Sequence, residues 1–255
     1  MSKREQRARG AHFGYEEVPW EKKIRRVEAV FDSVTDRYDV MNDVMSLGIH
    51  RLWKRYTVEL LRPHRGERLL DLAGGTGDLT ARLAPRVGRH GRVVLSDINE
   101  RMLARGRTRL TDAGCVGNID FVRADAETLP FETASFDGVT MAFGLRNVTH
   151  IPRALEEIRR VLRPGGRVLI LEFSRFHPPL PGMDKLYDLY SFKVLPLLGR
   201  LIARDAASYR YLAESIRMHP DQDTLQHMML EAGLERCTYH NLSGGIVAVH
   251  RGYRL

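Results

Sequence analysis

The stretch Leu69-Leu70-Asp71-Leu72-Ala73-Gly74-Gly75-Thr76-Gly77-Asp78-Leu79-Thr80 decides the fold. It reads as a short buried strand, an acidic residue, and a glycine-rich turn that opens a helix. Glycines remove the Cβ atoms that would keep a ligand off the backbone. Two nucleotide-like ligands use such a turn and make opposite demands on it. A dinucleotide pyrophosphate is anionic and favours helix N-terminal amides with no carboxylate nearby. S-adenosylmethionine has no phosphate and carries an ammonium and a sulfonium. Asp71 at the strand end and Asp78 at the helix start favour this methyl donor. Spacing agrees, because Gly75-Thr76-Gly77-Asp78-Leu79-Thr80 lacks the third glycine of the dinucleotide fingerprint.

The downstream sequence strengthens that reading. Arg92-Val93-Val94-Leu95-Ser96-Asp97 is a second strand ending in an acid, 20 residues beyond Gly77. An acid there can accept both ribose hydroxyls, and it could equally cap the helix that begins near Glu100. Beyond the next strand, Asp125 is placed to accept from the adenine amine and the Ala126 amide to donate to the ring. A plain turn is the alternative for Asp125. Gly74, Gly75, Thr76 and Gly77 are expected at the methionine end, beside Asp71.

From Arg68 onward strands and helices alternate, as in a parallel sheet covered on both faces. Candidate strands are 68–72, 92–96, 119–123, 136–142 and 167–173. Residues 237–242 and 246–253 make a closing antiparallel pair around Ser243-Gly244-Gly245. Residues 1–20 read as a flexible N-terminus ahead of one domain spanning 21–255. Within it lie N-terminal helices (21–66), a donor-binding core (67–174), a substrate-cover insertion (175–222) and a C-terminal sheet edge (223–255). The insertion is rich in apolar residues and tyrosine. Its expected place is over the strand carboxyl ends, where open α/β sheets bind ligands.

The chain has 255 residues, 43% of them hydrophobic, which suits a globular protein with one substantial core. No apolar run is long enough to span a bilayer, and the charged start carries no signal core, so a cytoplasmic location is expected. Cys115 and Cys237 stand far apart and read as reduced and structural. The net charge is +8, with only six lysines among 40 basic residues. Nucleic acid, an anionic membrane surface or simple solubility would each account for it. After the fourth strand, Met141-Ala142-Phe143-Gly144-Leu145-Arg146-Asn147 lacks the Asp/Asn-Pro-Pro-aromatic tetrapeptide of amino-directed nucleic-acid methyltransferases. Neither cysteine has the setting of a pyrimidine-methylating nucleophile. No nucleic-acid partner is expected, and no metal.

Several longer motifs resemble the ubiquinone/menaquinone biosynthesis C-methyltransferase family. They are Phe31-Asp32-Ser33-Val34, Arg37-Tyr38-Asp39-Val40-Met41-Asn42-Asp43, Gly48-Ile49-His50-Arg51-Leu52-Trp53-Lys54, the Asp71–Asp78 loop, Phe143-Gly144-Leu145-Arg146-Asn147-Val148 and Tyr209-Arg210-Tyr211-Leu212-Ala213-Glu214-Ser215-Ile216. The resemblance implies a class I S-adenosylmethionine-dependent methyltransferase (Rossmann-like) α/β fold. A mostly parallel seven-stranded sheet would carry a C-terminal antiparallel hairpin. Donor contacts would fall on Thr76, Asp97, Asp125 and Ala126. Many relatives have serine at Ala142, so a contact there would be through backbone only.

The implied reaction is C-methylation of a polyprenylated quinol: demethylmenaquinol to menaquinol, 2-methoxy-6-polyprenyl-1,4-benzoquinol to its 5-methyl product, or both. Methylation of a sterol or lipid chain, or donor binding without turnover, are the alternatives. As a hydroxyl loses its proton, a ring carbon becomes nucleophilic and attacks the activated methyl in line. Arg146 is the candidate to hold the developing phenolate, and His50 is the titratable candidate. Tyr38 or Asn147 would orient the ring. A prenyl-tailed substrate implies peripheral contact with the membrane surface, through 183–202 and the basic residues near Lys22. A homodimer or a complex of quinone-biosynthesis enzymes is left open.

Overall fold

The computed structural model of the chain describes residues 10–34, 42–43, 46–174 and 206–255. Strands β3 (Arg68–Leu72), β4 (Arg92–Asp97), β5 (Ile119–Arg123), β6 (Phe136–Ala142), β7 (Leu162–Phe173), β8 (Glu235–Leu242) and β9 (Val247–Tyr253) build one sheet. Its order is β5-β4-β3-β6-β7-β9-β8, parallel up to β7, after which β9 and β8 run antiparallel. Fold class and closing hairpin are as the sequence reading expects. Strands β3 and β7 are nearly continuous apolar runs because helices cover both faces. The chain leaves β3 toward β4 and β5, then returns to β6 on the other side. A crevice therefore opens at the strand carboxyl ends.

On one face α5 (Ile151–Val161) and α7 (Gln222–Glu231) pack over Leu70, Val139, Val168 and Ile170. On the other, α2 (His50–Leu61) and α3 (Asp78–Val87) cover Leu69, Val93, Leu169 and Leu171. Alternation of Val168 and Ile170 with Leu169 and Leu171 follows from the two-residue period of a strand. Helix α4 (Glu100–Asp112) packs through Leu103 and Leu110 onto Leu95. Cys237 is a buried free thiol whose pKa burial pushes up to about 11.

Residues 10–19 depart from the flexible N-terminus expected over 1–20. They form a hairpin of β1 (Gly10–Phe13) and β2 (Glu16–Pro19) that feeds α1 (Trp20–Val34). Ala11 and Val18 are buried, and the Phe13 ring stacks on Tyr211 of α6 (Ala206–Met218), with centroids 4.1 Å apart. Gly14 turns at φ +60°, where a Cβ would lie 2.1 Å from Glu214 Oε2. A short charged segment carries no periodicity to announce such packing. Tyr38 and residues 183–202 lie outside the described residues.

Candidate active site

Asp71 sits under the glycine-rich turn and is wholly buried. Its Oδ2 accepts from the Thr80 amide (3.0 Å) and hydroxyl (2.7 Å), and its Oδ1 accepts from the Thr140 hydroxyl (2.9 Å). Burial raises its pKa to about 6 against these bonds. This carboxylate ties β3, α3 and β6 together and does not line the cleft. Gly74 is needed above it, since a Cβ there would meet Leu95 Cδ1 at 2.2 Å. Asp78 is engaged as well, through an ion pair with the buried Lys54 at 2.8 Å. With Arg82 and Arg109 also close, its pKa falls to about 2 despite burial. The Thr76 side chain is buried and accepts from Arg109 (3.1 Å), so the turn offers its backbone to the cleft at Gly75.

Asp97 does face the cleft. Its Oδ2 accepts from the Gly75 amide and its Oδ1 from the Asn99 amide, each at 2.9 Å. Burial lifts its pKa to about 6, with these amides pulling the other way. The cap of α4 is Asn99, whose Oδ1 accepts from the Met102 amide (3.0 Å), so Asp97 is left for the cleft. Asp125 forms the next wall, its Oδ1 accepting from the Glu127 amide (2.9 Å) in a tight turn. Ala126 lies beside it. Glu127 in turn accepts from the Thr149 and His150 amides.

A partly open cleft lies at these strand ends. Gly75, Asp97, Asp125, Ala126 and Asn147 meet on its walls. Gly74, Gly77, Thr76 and Ala142 stand behind, with Met141 and Phe143 presenting the β6 end. Two lining residues, Ala73 and Phe143, hold φ of +51° and +58° at the ends of β3 and β6. Such strain in non-glycine residues clusters at functional sites. A further wall comes from α1 through Ile24, Val27, Glu28 and Phe31. Their spacing marks an inward helical face but does not say what the face meets. Asn99 Nδ2 donates to Asp32 (2.9 Å) and the buried Lys23 ammonium to the Val148 carbonyl (2.8 Å), fixing α1 over the cleft.

Among the described residues, four carboxylates line the cleft (Glu28, Asp97, Asp125 and Glu127), and no lysine or arginine does. A pyrophosphate would be repelled. A ligand with an ammonium and a sulfonium suits this lining, and the glycine turn gives it backbone to lie against. The residues present therefore fit S-adenosylmethionine.

Arg146 lies in the turn after β6 but is only 5% exposed and does not line the cleft. It donates to Glu172 Oε1 on β7 (2.7 Å) and to the Phe143 carbonyl, and it stacks over the Phe173 ring. Its Nε has no partner among the described residues. Next to it, Asn147 faces the cleft, and its Oδ1 accepts from the Tyr211 hydroxyl (3.1 Å). Burial pushes the Tyr211 pKa up to about 12 and lowers that of His219, near the same ion pair. Sequence reasoning missed Glu172 and Tyr211 as parts of this group. His50 is also buried, with Nδ1 2.8 Å from the Ser46 hydroxyl, and it lines no part of the cleft. Its pKa is lowered by burial and by Lys54.

The ubiE/COQ5 methyltransferase family model matches residues 20–254. A ubiquinone/menaquinone biosynthesis C-methyltransferase from Pseudomonas putida is 60% identical over 95% of this chain and 94% of its own length. The Pseudomonas paraeruginosa enzyme of the same name is 59% identical over the same shares. Among solved structures, a SAM-dependent methyltransferase from Thermotoga maritima superposes with a TM-score of 0.62 at 20% identity, covering 89% of this chain and 99% of that one. One from Aquifex aeolicus gives 0.58 at 16% identity, over 79% and 89%. These two show the class I methyltransferase fold.

Proposed function

The chain belongs to the ubiE/COQ5 methyltransferase family, and we propose that its acidic cleft is where the methyl donor and the quinol ring of that family's reaction meet. The protein is an S-adenosylmethionine-dependent C-methyltransferase of ubiquinone/menaquinone biosynthesis. The observation that carries the site assignment is a cleft at the sheet's switch point lined, among the described residues, by four carboxylates and no basic side chain.

Asp97 would accept the ribose hydroxyls, Asp125 and the Ala126 amide would read the adenine, and the Gly75 turn would hold the methionine end. When bound, the donor supplies an already activated methyl group, so alignment of the ring carbon is the main task left to the protein. Asn147 has amide N–H groups to donate to the ring hydroxyl, because Tyr211 occupies its Oδ1. Arg146 cannot take a proton, and Glu172 offsets much of its charge. Its role is that of a positioning residue, gripping the Phe143 carbonyl and so fixing the turn that presents Asn147. The polyprenyl tail of the quinol brings the enzyme to the membrane surface. No helix among the described residues is long and apolar enough to cross a membrane.

The test is methyl transfer from isotopically labelled donor to a short-tailed quinol. Label on a ring carbon is expected. Label on an oxygen, or transfer only to a sterol or acyl chain, overturns the reading.

A further inference from the structure

Nine large apolar side chains are exposed among the described residues, and four of them fall within residues 47–56. Leu47 is 77% exposed, Leu52 64%, Ile49 40% and Tyr56 37%. Positions 49, 52 and 56 are three and four residues apart and share one face at the start of α2. Folding gives no reason for this. Leu47 holds φ +49°, a conformation that suits glycine or asparagine, while its side chain stands in water. Either residue would serve the turn better. The cost is carried by a leucine whose side chain is largely exposed.

The patch also lies toward the carboxyl end of the sheet, the end at which the cleft opens. Helix α2 runs antiparallel to β7, with the Leu61 carbonyl accepting from Arg167 midway along that strand (2.7 Å) and the Trp53 ring 6.4 Å from that of Phe173 at its end. Its first turn therefore sits at the strand carboxyl ends. There the buried Trp53, next to Leu52, lies 6.3 Å from the ring of Phe143, which lines the cleft. Exposed Arg51 and Arg55 flank Leu52 on the same face, and Arg51 also pairs with Asp43 (2.6 Å). The Tyr56 hydroxyl reaches His240 Nδ1 (3.3 Å), and its ring meets the His240 ring edge-on. Apolar side chains ringed by arginines, with a tyrosine at the margin, match the layers of a lipid surface.

We propose that Leu47, Ile49, Leu52 and Tyr56 insert into an anionic bilayer surface and set the cleft mouth against the lipid. The proposal rests on the quinol reading for the reason a membrane is met. A ring can then enter past Trp53 while its tail stays in lipid. This assigns membrane contact to a folded helix of the core; residues 183–202, expected at the membrane from sequence, lie outside the described residues.

The experiment uses the full chain and its Leu47→Asn/Leu52→Gln variant with vesicles of phosphatidylethanolamine and phosphatidylglycerol. Asparagine suits the turn, so the melting temperature should hold or rise. Loss of two inserted leucines should weaken co-sedimentation about tenfold or more. Turnover on a short-tailed, water-soluble quinol should stay within about twofold, since neither residue touches the site. Wild-type protein that fails to sediment, or a variant that sediments equally, overturns the proposal. So does a wild-type dimer that the variant converts to monomer with vesicle binding unchanged, which would make the patch an interface between copies. Absence of quinol methylation with variant-sensitive vesicle binding would defeat the functional reading and leave the surface standing.

Discussion

Asp71 and Asp97 look alike in sequence, each an acid at the end of a buried strand, and burial raises both to about pKa 6. Their partners separate them. Asp71 is surrounded by Thr80 and Thr140, whereas Asp97 is held by two backbone amides and keeps a side toward the cleft. Ribose hydroxyls would favour the charged form of Asp97 and lower its pKa in the complex. Donor affinity should then rise as pH climbs through about 6 and level off above it. Asp97→Asn should weaken donor binding at least about tenfold, the loss of one charge-assisted bond of roughly 1.5–3 kcal/mol, and flatten that pH dependence. Calorimetric titration at several pH values checks both, and an unchanged profile would remove the ribose assignment. Arg146→Lys keeps charge but loses the planar fork. It should lower kcat while leaving donor Kd near wild type, and equal losses in both would make the residue a general support of the cleft.

The elements of the sheet were legible because each carries a periodicity and a punctuation mark: apolar runs for β3 and β7, Pro63 and Gly66 after α2, Ser243-Gly244-Gly245 before β9. That Asp97, Asp125 and Ala126 reach the cleft wall was legible because strand ends fix where side chains emerge. The cover was not. An inward face on α1 is visible in Ile24, Val27 and Phe31, but periodicity cannot name the surface it meets. The link from Arg146 to Glu172 crosses from one strand end to the neighbouring strand, so no local pattern reveals it. In the same way Asp78 looked like a ligand for a cation until Lys54, a turn inside another helix, took it. The hairpin β1–β2 works at this scale, since Phe13 stacks on Tyr211 and Tyr211 holds Asn147. Phe13→Ala removes an aromatic pair worth roughly 0.5–1.5 kcal/mol beyond its buried area. Donor release measured by stopped flow should quicken as the α1 cover loosens. An unaltered release rate with a lowered melting temperature would confine the hairpin to stability.

Across the whole molecule, buried titratable groups of opposite tendency share the sheet. Asp71 and Asp97 have folded pKa values raised from 3.8 to about 6, so between those values the native state holds more protons and stability falls as pH rises. His250 on β9 runs the other way. Burial lowers it from 6.5 to about 4, so the unfolded chain holds the extra proton in that window and stability rises with pH. His219 is lowered too and adds to the rise. The groups around His250 are the Gln222 carbonyl, which accepts from Nε2 at 2.9 Å, together with His219, Asp223 and the Tyr239 ring. Acids near the cleft and histidines under α7 therefore oppose one another from pH 4 to 6.5, and the wild-type melting temperature should change little there. His250→Asn keeps a donor for the Gln222 carbonyl and removes one rising contribution. The variant should lose several degrees relative to wild type as pH goes from about 4 to about 6.5, since one kcal/mol moves a domain of this size by roughly 2–4 °C. Scanning calorimetry across that window measures the difference, and a gap between the two proteins that stays constant with pH would show that His250 titrates alike in the folded and the unfolded chain.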